Sequence, residues 1–184
     1  MPAESANSGD SVASNDSVVA DLHAHTTVSD GILTLDEVPA AAREAGVDWM
    51  AVTDHDRIHP GLDAPVVERD GVRIVRGIEL RVDAGFERLD LLGYGVERTD
   101  ALDAEIERLQ RDRRERGAAM LDRVEERLGT DLDLEPREGL GRPHIARAIE
   151  ESDAPCDYAG AFDELIGNDG PCYVARDVAR PVVP

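Results

Sequence analysis

The sequence predicts an α/β fold in which strands and helices alternate. Residues 18–25 and 47–53 have the apolar composition of buried strands, and the segment "LTLDEVPAAAREAG" between them has the features of a helix. Histidines and carboxylates fall at or just after the ends of the predicted strands. Active sites of α/β folds lie at the carboxyl ends of their strands, so the pattern indicates an α/β barrel or layered sheet with a functional site there.

The remaining elements follow in order along the chain. Asp36 is the predicted N-cap of the first helix, because it leaves Pro39 in the first turn and Gly46 just past the end. Further strands are predicted at 72–82 and 89–94, and helical spacing of apolar residues predicts an amphipathic helix from 100 to about 128, with Gly117 as its weak point. Two shorter helices at 144–150 and 158–166 and a strand at 172–175 complete the prediction.

The composition is strongly acidic. Among 184 residues, 40 are Asp or Glu and 20 are basic, which gives a formal net charge of -20, and every basic residue is arginine. A surface of this kind is typical of a cytosol rich in salt, where self-repulsion is screened, although an ordinary acidic protein is the alternative. The charge excludes broad binding to the DNA backbone, so a phosphorylated substrate needs metal ions or a local arginine cluster.

The ends of the chain and its cysteines indicate a cytoplasmic protein. Residues 1–17 are rich in Ser, Asn, Asp and Gly, lack the features of a secretion signal, and are predicted to be a disordered polar tail. No apolar segment approaches the roughly 20 residues of a membrane span. Cys156 and Cys172 are too few for a disulfide scaffold and are expected to be reduced.

The residues at the strand ends are suited to binding metal ions. His23 and His25 alternate along a strand, so both point to one face and can hold one ion, while Asp30 on the next loop can reach a second. Each feature alone has a structural alternative, a hydrogen-bonded histidine pair or a solvated acid, but their coincidence at three strand ends favours a metal site. The other contributors are Asp54, His55, Asp56 and Glu79.

The donor types also indicate a reaction. Mixed nitrogen and oxygen donors suit Zn, Mn or Fe better than Ca or a site for Mg alone. A cluster of two or three such ions can bridge a hydroxide and clamp the attacking and leaving oxygens of a phosphoryl group. Hydrolysis of phosphoesters is therefore the predicted chemistry.

Five motifs in this order resemble the polymerase-and-histidinol-phosphatase (PHP) family of metal-dependent phosphoesterases. They are "DLHAHTTVSDG", "TDHD", "GIE", "LLGYG" and "GRPHIARA", and the similarity extends from about residue 18 to residue 176. Within the family, the chain most resembles the branch of nucleoside 3',5'-bisphosphate phosphatases and 5'-to-3' exoribonucleases that act on short RNA. The resemblance implies a distorted (β/α)7-type barrel with a helical insertion, and two or three divalent ions, with Mg as a further alternative.

The resemblance also implies roles for particular residues. His23, His25, Asp30, His55 and Glu79 correspond to metal ligands, with Glu79 bridging two ions, and His23, His25, His55 and Glu79 would act in catalysis. Asp90 stands where the family usually has a ligand histidine, so it is expected to bind metal with a changed preference. Arg142 and His144 would contact the substrate phosphate; a loop salt bridge and a helix-terminus position are their structural alternatives.

The chain departs from the family after residue 174, because the later motifs that carry three more ligands are missing. We expect an N-terminal barrel half at 18–98, a helical insertion at 99–170 and the start of a C-terminal half at 171–184. About five strands are predicted where a closed barrel needs about seven or eight, so the sheet should be open. Three explanations of the missing motifs are open: the native chain is longer, another chain completes the site, or the protein is a degenerate member of the family. The unpaired backbone groups at the open edge of the sheet also predict that the chain associates with itself.

Three functions follow from these observations. The first is a phosphoesterase acting on small phosphorylated nucleotides or RNA 5' ends through a metal-bridged hydroxide. The second is a non-catalytic metal-binding module, which the missing ligands favour. The third is a histidinol-phosphate phosphatase, which would need a pocket for an imidazole side chain.

Overall fold

In the described part of the chain, a five-stranded mixed sheet is combined with four helices. The computed structural model describes residues 19–180. The strands are β1 (Ala20–Ala24), β2 (Trp49–Val52), β3 (Val66–Arg69), β4 (Val72–Asp83) and β5 (Arg88–Tyr94). The helices are α1 (Val38–Glu44), α2 (Asp100–Leu128), α3 (Arg142–Glu151) and α4 (Tyr158–Gly160), and a π-helical turn at Ala161–Ile166 follows α4. The predicted α/β class is confirmed; the predicted tail at 1–17 lies outside the described residues.

The order of the strands brings several strand ends to one place. β1, β2 and β4 are parallel neighbours, and β3 and β5 pair antiparallel with β4. β4 is long enough to change partners: up to Arg76 it pairs with β2 and β3, and from Gly77 it pairs with β5. The carboxyl ends of β1 and β2 therefore meet the middle of β4.

β3 is a strand that the sequence analysis did not predict. It forms a hairpin with β4 in which Arg69 pairs with Val72, so the loop consists of Asp70 and Gly71 alone. Both loop residues have positive φ, 49° and 81°. An Asp-Gly pair of this kind between two apolar segments is a strong hairpin signal, which was present in the sequence.

Two predicted details outside the long helix are wrong. Residues 172–175 are not a strand, because they pair with no neighbouring strand: Cys172 N donates to Leu165 O and Tyr173 N to Gly170 O, which ties the segment to the helices. Asp36 is not the N-cap of α1, which is Glu37. The Asp36 carboxylate accepts instead from Arg69 of β3, at 3.0 Å.

The long helix α2 agrees with the prediction at both ends. Thr99 caps it by accepting from Leu102 N, and Gly129 ends it in the left-handed conformation. Gly117 is not a weak point, since the helix continues through it. A Cβ at Gly117 would lie 2.5 Å from Leu140 Cδ2, so glycine here gives Leu140 room to pack against the helix.

Apolar side chains form two clusters. One joins α1 to the sheet and includes Val38, Val52 and Ile74. The other joins the second half of α2 to the segments that follow it, and includes Met120, Ile145 and Ile166. The first half of α2 contributes little to either cluster, and its buried face contacts the site described below.

The sheet is open at β1, as the strand count predicted. Among residues 19–180, only β2 pairs with β1. Val19 and Leu22 are 54% and 48% exposed on this edge, and the Tyr94 hydroxyl donates to Leu22 O at 2.9 Å. Self-association through this edge remains a prediction. In the described part of the chain, no helix has the length and apolarity needed to cross a membrane.

Candidate metal centre

The first two histidines and the loop after them are held in place by tight local packing. His23 lies in β1, and His25 follows the last residue of that strand. The loop then turns back so closely that a Cβ at Gly31 would lie 2.0 Å from His25 O. Only glycine fits, and the turn brings Asp30 Oδ1 to 2.9 Å from His25 Nδ1.

The side chain of Asp54 holds the same loop through hydrogen bonds. Its fully buried carboxylate accepts from Thr26 N at 2.8 Å, from the Thr26 hydroxyl at 2.8 Å and from the Ser29 hydroxyl at 2.6 Å. Three donors satisfy the hydrogen-bonding capacity that a buried carboxylate needs. Of the acids predicted at this strand end, Asp54 therefore positions the loop.

Three histidines and two acids converge above this loop. Glu79 Oε2 lies 3.0 Å from His23 Nε2, 2.8 Å from His25 Nε2 and 3.3 Å from His55 Nδ1. Asp30 contacts His25 and, at 3.4 Å, His55 Nε2. We call these five residues the histidine cluster: His23, His25, Asp30, His55 and Glu79. They are five of the six residues predicted as metal ligands.

The histidine cluster has the donors and spacing of a metal site. In each of two groups, the possible ligand atoms all lie within 4.8 Å of one another. The first group is His23, His25 and Glu79, and the second is His25, Asp30 and His55. Donor atoms bound at about 2.0–2.2 Å around one ion are separated by distances of this order. Among residues 19–180, the buried His55 Nδ1 has no hydrogen-bond partner, although Glu79 Oε2 lies 3.3 Å away, and this is costly unless the nitrogen binds something. The residues present therefore fit bound cations.

The residues of the histidine cluster shift one another's pKa values. Burial opposes the charge of His25, but hydrogen bonds to Asp30 and Glu79 outweigh it and raise the pKa of His25 to about 9. Burial also opposes the charges of the two acids, yet the hydrogen bonds from His25 and the charge of His55 lower the pKa of Asp30 and of Glu79. For His55, burial and then the charge of Arg113 lower the pKa to about 4. The two carboxylates thus favour a positive charge between them.

Two polar residues of α2 make hydrogen bonds to the segment that carries His55. Gln110 Nε2 donates to Asp56 O at 2.9 Å and to His55 O at 3.4 Å, and Gln110 Oε1 accepts from Gly139 N. Arg113 Nε donates to the Asp56 carboxylate at 2.7 Å, with both side chains nearly fully buried. Asp56 has a positive φ of 53°. Of these residues, the sequence pattern indicated only Asp56, as a donor at the strand end, and gave no sign of Gln110 and Arg113.

Arg142 borders the histidine cluster. It lines a cavity of about 570 Å³ together with His23, His25, His55 and Glu79. Its Nη1 donates to Asn168 Oδ1 at 3.0 Å and to Ile166 O at 3.3 Å, and its guanidinium carbon lies 5.6 Å from the centre of the Tyr173 ring. These contacts hold the guanidinium at the rim of the cavity.

Two predicted site residues are not brought to the cluster. Asp90 lines the same cavity, but its carboxylate pairs with Arg81 across the β4–β5 ladder, and it belongs to neither candidate metal group. His144 accepts at Nδ1 from Gly141 N at 3.1 Å, across the first turn of α3. The cavity that His144 lines is a separate one, bordered by residues of the 131–134 segment and of α3.

Comparison with known proteins gives three curated relatives named for phosphoester cleavage. A phosphoribosyl 1,2-cyclic phosphate 1,2-diphosphodiesterase of Eggerthella lenta is 36% identical over 90% of this chain and 70% of its own length. A 3',5'-nucleoside bisphosphate phosphatase of Chromobacterium violaceum is 30% identical over 86% and 59%. The 5'-3' exoribonuclease Rnm of Escherichia coli is 28% identical over 87% and 58%. The chain thus spans less than two thirds of the length of the last two relatives.

A solved structure and a family match agree with these relatives. A structure from Chromobacterium violaceum, described as an amidohydrolase with bound sulfate and no metal, superimposes with a TM-score of 0.68 and 24% identity, covering 88% of this chain and 60% of that one. This likeness supports the fold, including the sheet and helical segments. The PHP domain matches residues 21–164, which include the whole histidine cluster. The chain therefore belongs to the PHP domain family.

Proposed function

We propose that this chain is a metal-dependent phosphoesterase that hydrolyses phosphate esters of small nucleotides or of RNA 5' ends. The observation that carries the proposal is the position of Glu79 Oε2, within 3.3 Å of one nitrogen of each of three histidines. One of these nitrogens, the buried Nδ1 of His55, has no hydrogen-bond partner among the described residues. The three curated relatives, all named for phosphoester cleavage, support the same reaction class.

The five residues of the histidine cluster would hold two cations. His25 belongs to both candidate groups, Glu79 to one of them and Asp30 to the other. When bound, such ions lower the pKa of a water and neutralise charge on a phosphoryl group. Mn, Zn or Fe suit the mixed donors better than Mg. Asp90 would join the set only if it released Arg81, so we assign it no ligand role.

Arg142 would orient the phosphoryl group. A guanidinium presents paired donors to phosphate oxygens, and Arg142 keeps this fork at the rim of the cavity through bonds to neutral oxygens. The position of His144 at the start of α3 supports a role in ordering that helix end, next to Arg142. Both residues lie in the segment at 99–170, which we interpret as a helical insertion.

The test combines metal content and turnover on one sample. The 184-residue chain is purified in high salt, loaded with Mn, and assayed for phosphate release from adenosine 3',5'-bisphosphate. We expect two ions per chain with turnover, and His25→Ala should lose metal and more than about a hundredfold of the activity. One ion or none, without turnover, would favour the non-catalytic binding module.

His59→Asn is the matched control. His59 is buried but lies outside the histidine cluster, and its Nδ1 accepts from Gly61 N at 3.0 Å, a bond that asparagine can replace. Its metal content should equal that of the unmodified chain. If His25→Ala kept both metal and activity, the assignment of the histidine cluster would be wrong. Turnover of histidinol phosphate measured beside the bisphosphate decides between the two phosphatase alternatives.

A further inference from the structure

Four arginines line the cavity of about 570 Å³, and Arg142 differs from the other three. Arg81 and Arg176 each pair with a carboxylate, and Arg88 is exposed on β5. Arg142 is held by hydrogen bonds but forms no ion pair with a described residue, in a chain that has 40 acidic side chains. A guanidinium held in this way keeps its charge available for a ligand.

A single segment of the chain supplies the contacts that hold Arg142. Nη1 donates to Asn168 Oδ1 at 3.0 Å and to Ile166 O at 3.3 Å. The guanidinium carbon lies 5.7 Å from the centre of the Phe162 ring and 5.6 Å from that of Tyr173, within the range of cation–π attraction. Ile166 ends the π-helical turn, and the last carbonyls of a helical segment have no partner within it. Asn168 is thus the only polar side chain among these four contacts.

The two hydrogen bonds leave one edge of the guanidinium free. Nη1 carries two N–H groups and has two acceptors. Nε and Nη2 make no hydrogen bond to the residues that the structure describes. The N–H bonds of these two nitrogens are parallel, and such a pair can donate to two oxygens of one phosphoryl group. Fixing Nη1 therefore orients the fork formed by Nε and Nη2.

An amide at position 168 suits this task better than an acid would. Because Nη1 can only donate, the amide oxygen of Asn168 faces it. A carboxylate in the same place would accept as well, but it would also partly neutralise the guanidinium and repel a phosphoryl group. The amide fixes the guanidinium without weakening its attraction for an anion.

We propose that Asn168 is a positioning residue, which holds Arg142 through an uncharged acceptor so that Nε and Nη2 are free to bind the phosphoryl group at the histidine cluster. The inference rests on the proposed function, because it takes Arg142 to contact the reacting phosphoryl group. Asn168 is exposed and belongs to neither candidate metal group. Its replacement should therefore lower turnover while the fold and the metal content stay unchanged.

The first test measures the order of the Arg142 side chain in metal-free protein, so it does not depend on turnover. By ¹⁵N relaxation, the Arg142 Nε–H group should have an order parameter close to the roughly 0.85 of a rigid group, and below about 0.6 in Asn168→Ala. The signal is assigned by its absence from Arg142→Met. A low order parameter in the unmodified chain, or one that Asn168→Ala leaves unchanged, would overturn the proposal.

Asp169→Ala is the matched control, because Asp169 is the exposed neighbour of Asn168 in the same loop. It should leave the order parameter of Arg142 unchanged. Since this substitution removes a negative charge, it should not raise the KM for a phosphorylated substrate. Equal losses of order in Asn168→Ala and Asp169→Ala would show that the loop as a whole is responsible, and would overturn the role of Asn168.

The second test is kinetic, with Mn and adenosine 3',5'-bisphosphate. Asn168→Ala should lower kcat/KM by about threefold to tenfold, the usual contribution of one hydrogen bond, with unchanged metal content. In an Arg142→Met background the same substitution should have no further effect, because the group that Asn168 positions is gone. Independent, multiplying effects of the two substitutions would contradict the positioning role.

Asn168→Asp separates position from charge. The carboxylate keeps the acceptor, so Arg142 should stay ordered, but KM should rise by about threefold or more because the guanidinium is partly neutralised. An Asn168→Asp chain with the KM of the unmodified protein would show that the neutrality of the acceptor has no role. This variant also decides if Asn168→Ala does not fold, as judged by circular dichroism.

The outcome is separable from that of the proposed function. An ordered Arg142 that Asn168→Ala loosens, in a chain that never hydrolyses the bisphosphate, would support the positioning role and contradict the phosphoesterase. Turnover of the bisphosphate that is indifferent to Asn168 would do the reverse.

Discussion

At the scale of single residues, the proton on His25 makes the stability of the fold depend on pH. The folded metal-free protein raises the pKa of His25 to about 9, whereas an unfolded chain has a value near 6.5. The charge therefore stabilises the fold fully below about pH 6.5, and this contribution is lost as the pH rises toward 9. His55 titrates outside this window, because its pKa is lowered to about 4.

We therefore predict that, in a chelator, the urea midpoint of unfolding falls as the pH is raised from about 6.5 to about 8.5. His25→Gln keeps a polar side chain but cannot be protonated, so its midpoint should vary much less over the same range. A midpoint that rises with pH in the unmodified chain would show that the proton is not held between Asp30 and Glu79. Added Mn should reverse the trend, since a cation displaces this proton and binds better at higher pH.

At the scale of elements, α2 links the helical segments to the metal centre. Its buried face changes from polar to apolar along the helix: Gln110 and Arg113 contact the segment of His55 and Asp56, and Met120 and Val124 pack in the apolar cluster. Gln110 donates to two backbone oxygens there and accepts from a third group. These bonds fix Asp56 in its left-handed conformation and so set the position of His55.

Replacement of Gln110 should therefore disturb both stability and the metal site. Gln110→Met keeps the shape and removes three polar contacts, so we expect a loss of about 1–3 kcal/mol in the free energy of unfolding. Metal affinity should fall by about tenfold or more, as is usual for residues that orient a ligand. Glu107→Ala, at an exposed position of the same helix, is the control for both measurements. Unchanged metal affinity in folded Gln110→Met would remove Gln110 from this role.

The same elements show what could be predicted from the sequence. The limits of α2 and the meeting of His23, His25, His55 and Glu79 followed from periodicity and from the position of these residues at strand ends. β3 was missed although its Asp-Gly turn was visible in the sequence.

Other features depend on partners distant in the chain. Gln110 and Arg113 interrupt an apolar stripe, and only the folded chain shows that they face His55 and Asp56. Gly117 suggested a break in the helix, but it accommodates Leu140, which lies 23 residues later. Local patterns carry no information about such contacts, because these depend on how the elements pack.

At the scale of the whole molecule, the net charge of -20 makes stability depend on salt. Like charges repel in the compact state more than in the unfolded chain, and added salt screens this repulsion. The screening length falls from about 10 Å at 0.1 M to about 3 Å at 1 M, so most of the electrostatic gain should come below about 1 M.

We accordingly expect the melting temperature of the metal-free chain to rise steeply with KCl up to about 1 M, and only slowly beyond. The control is the same titration at about pH 5, where partial protonation of the carboxylates lowers the net charge and should flatten the response. A response equally steep at both pH values would point to exclusion of salt from the surface, which acts without regard to charge. A melting temperature that fell with added KCl would mean that ion pairs, such as those of Asp56 with Arg113 and Arg176, outweigh the general repulsion.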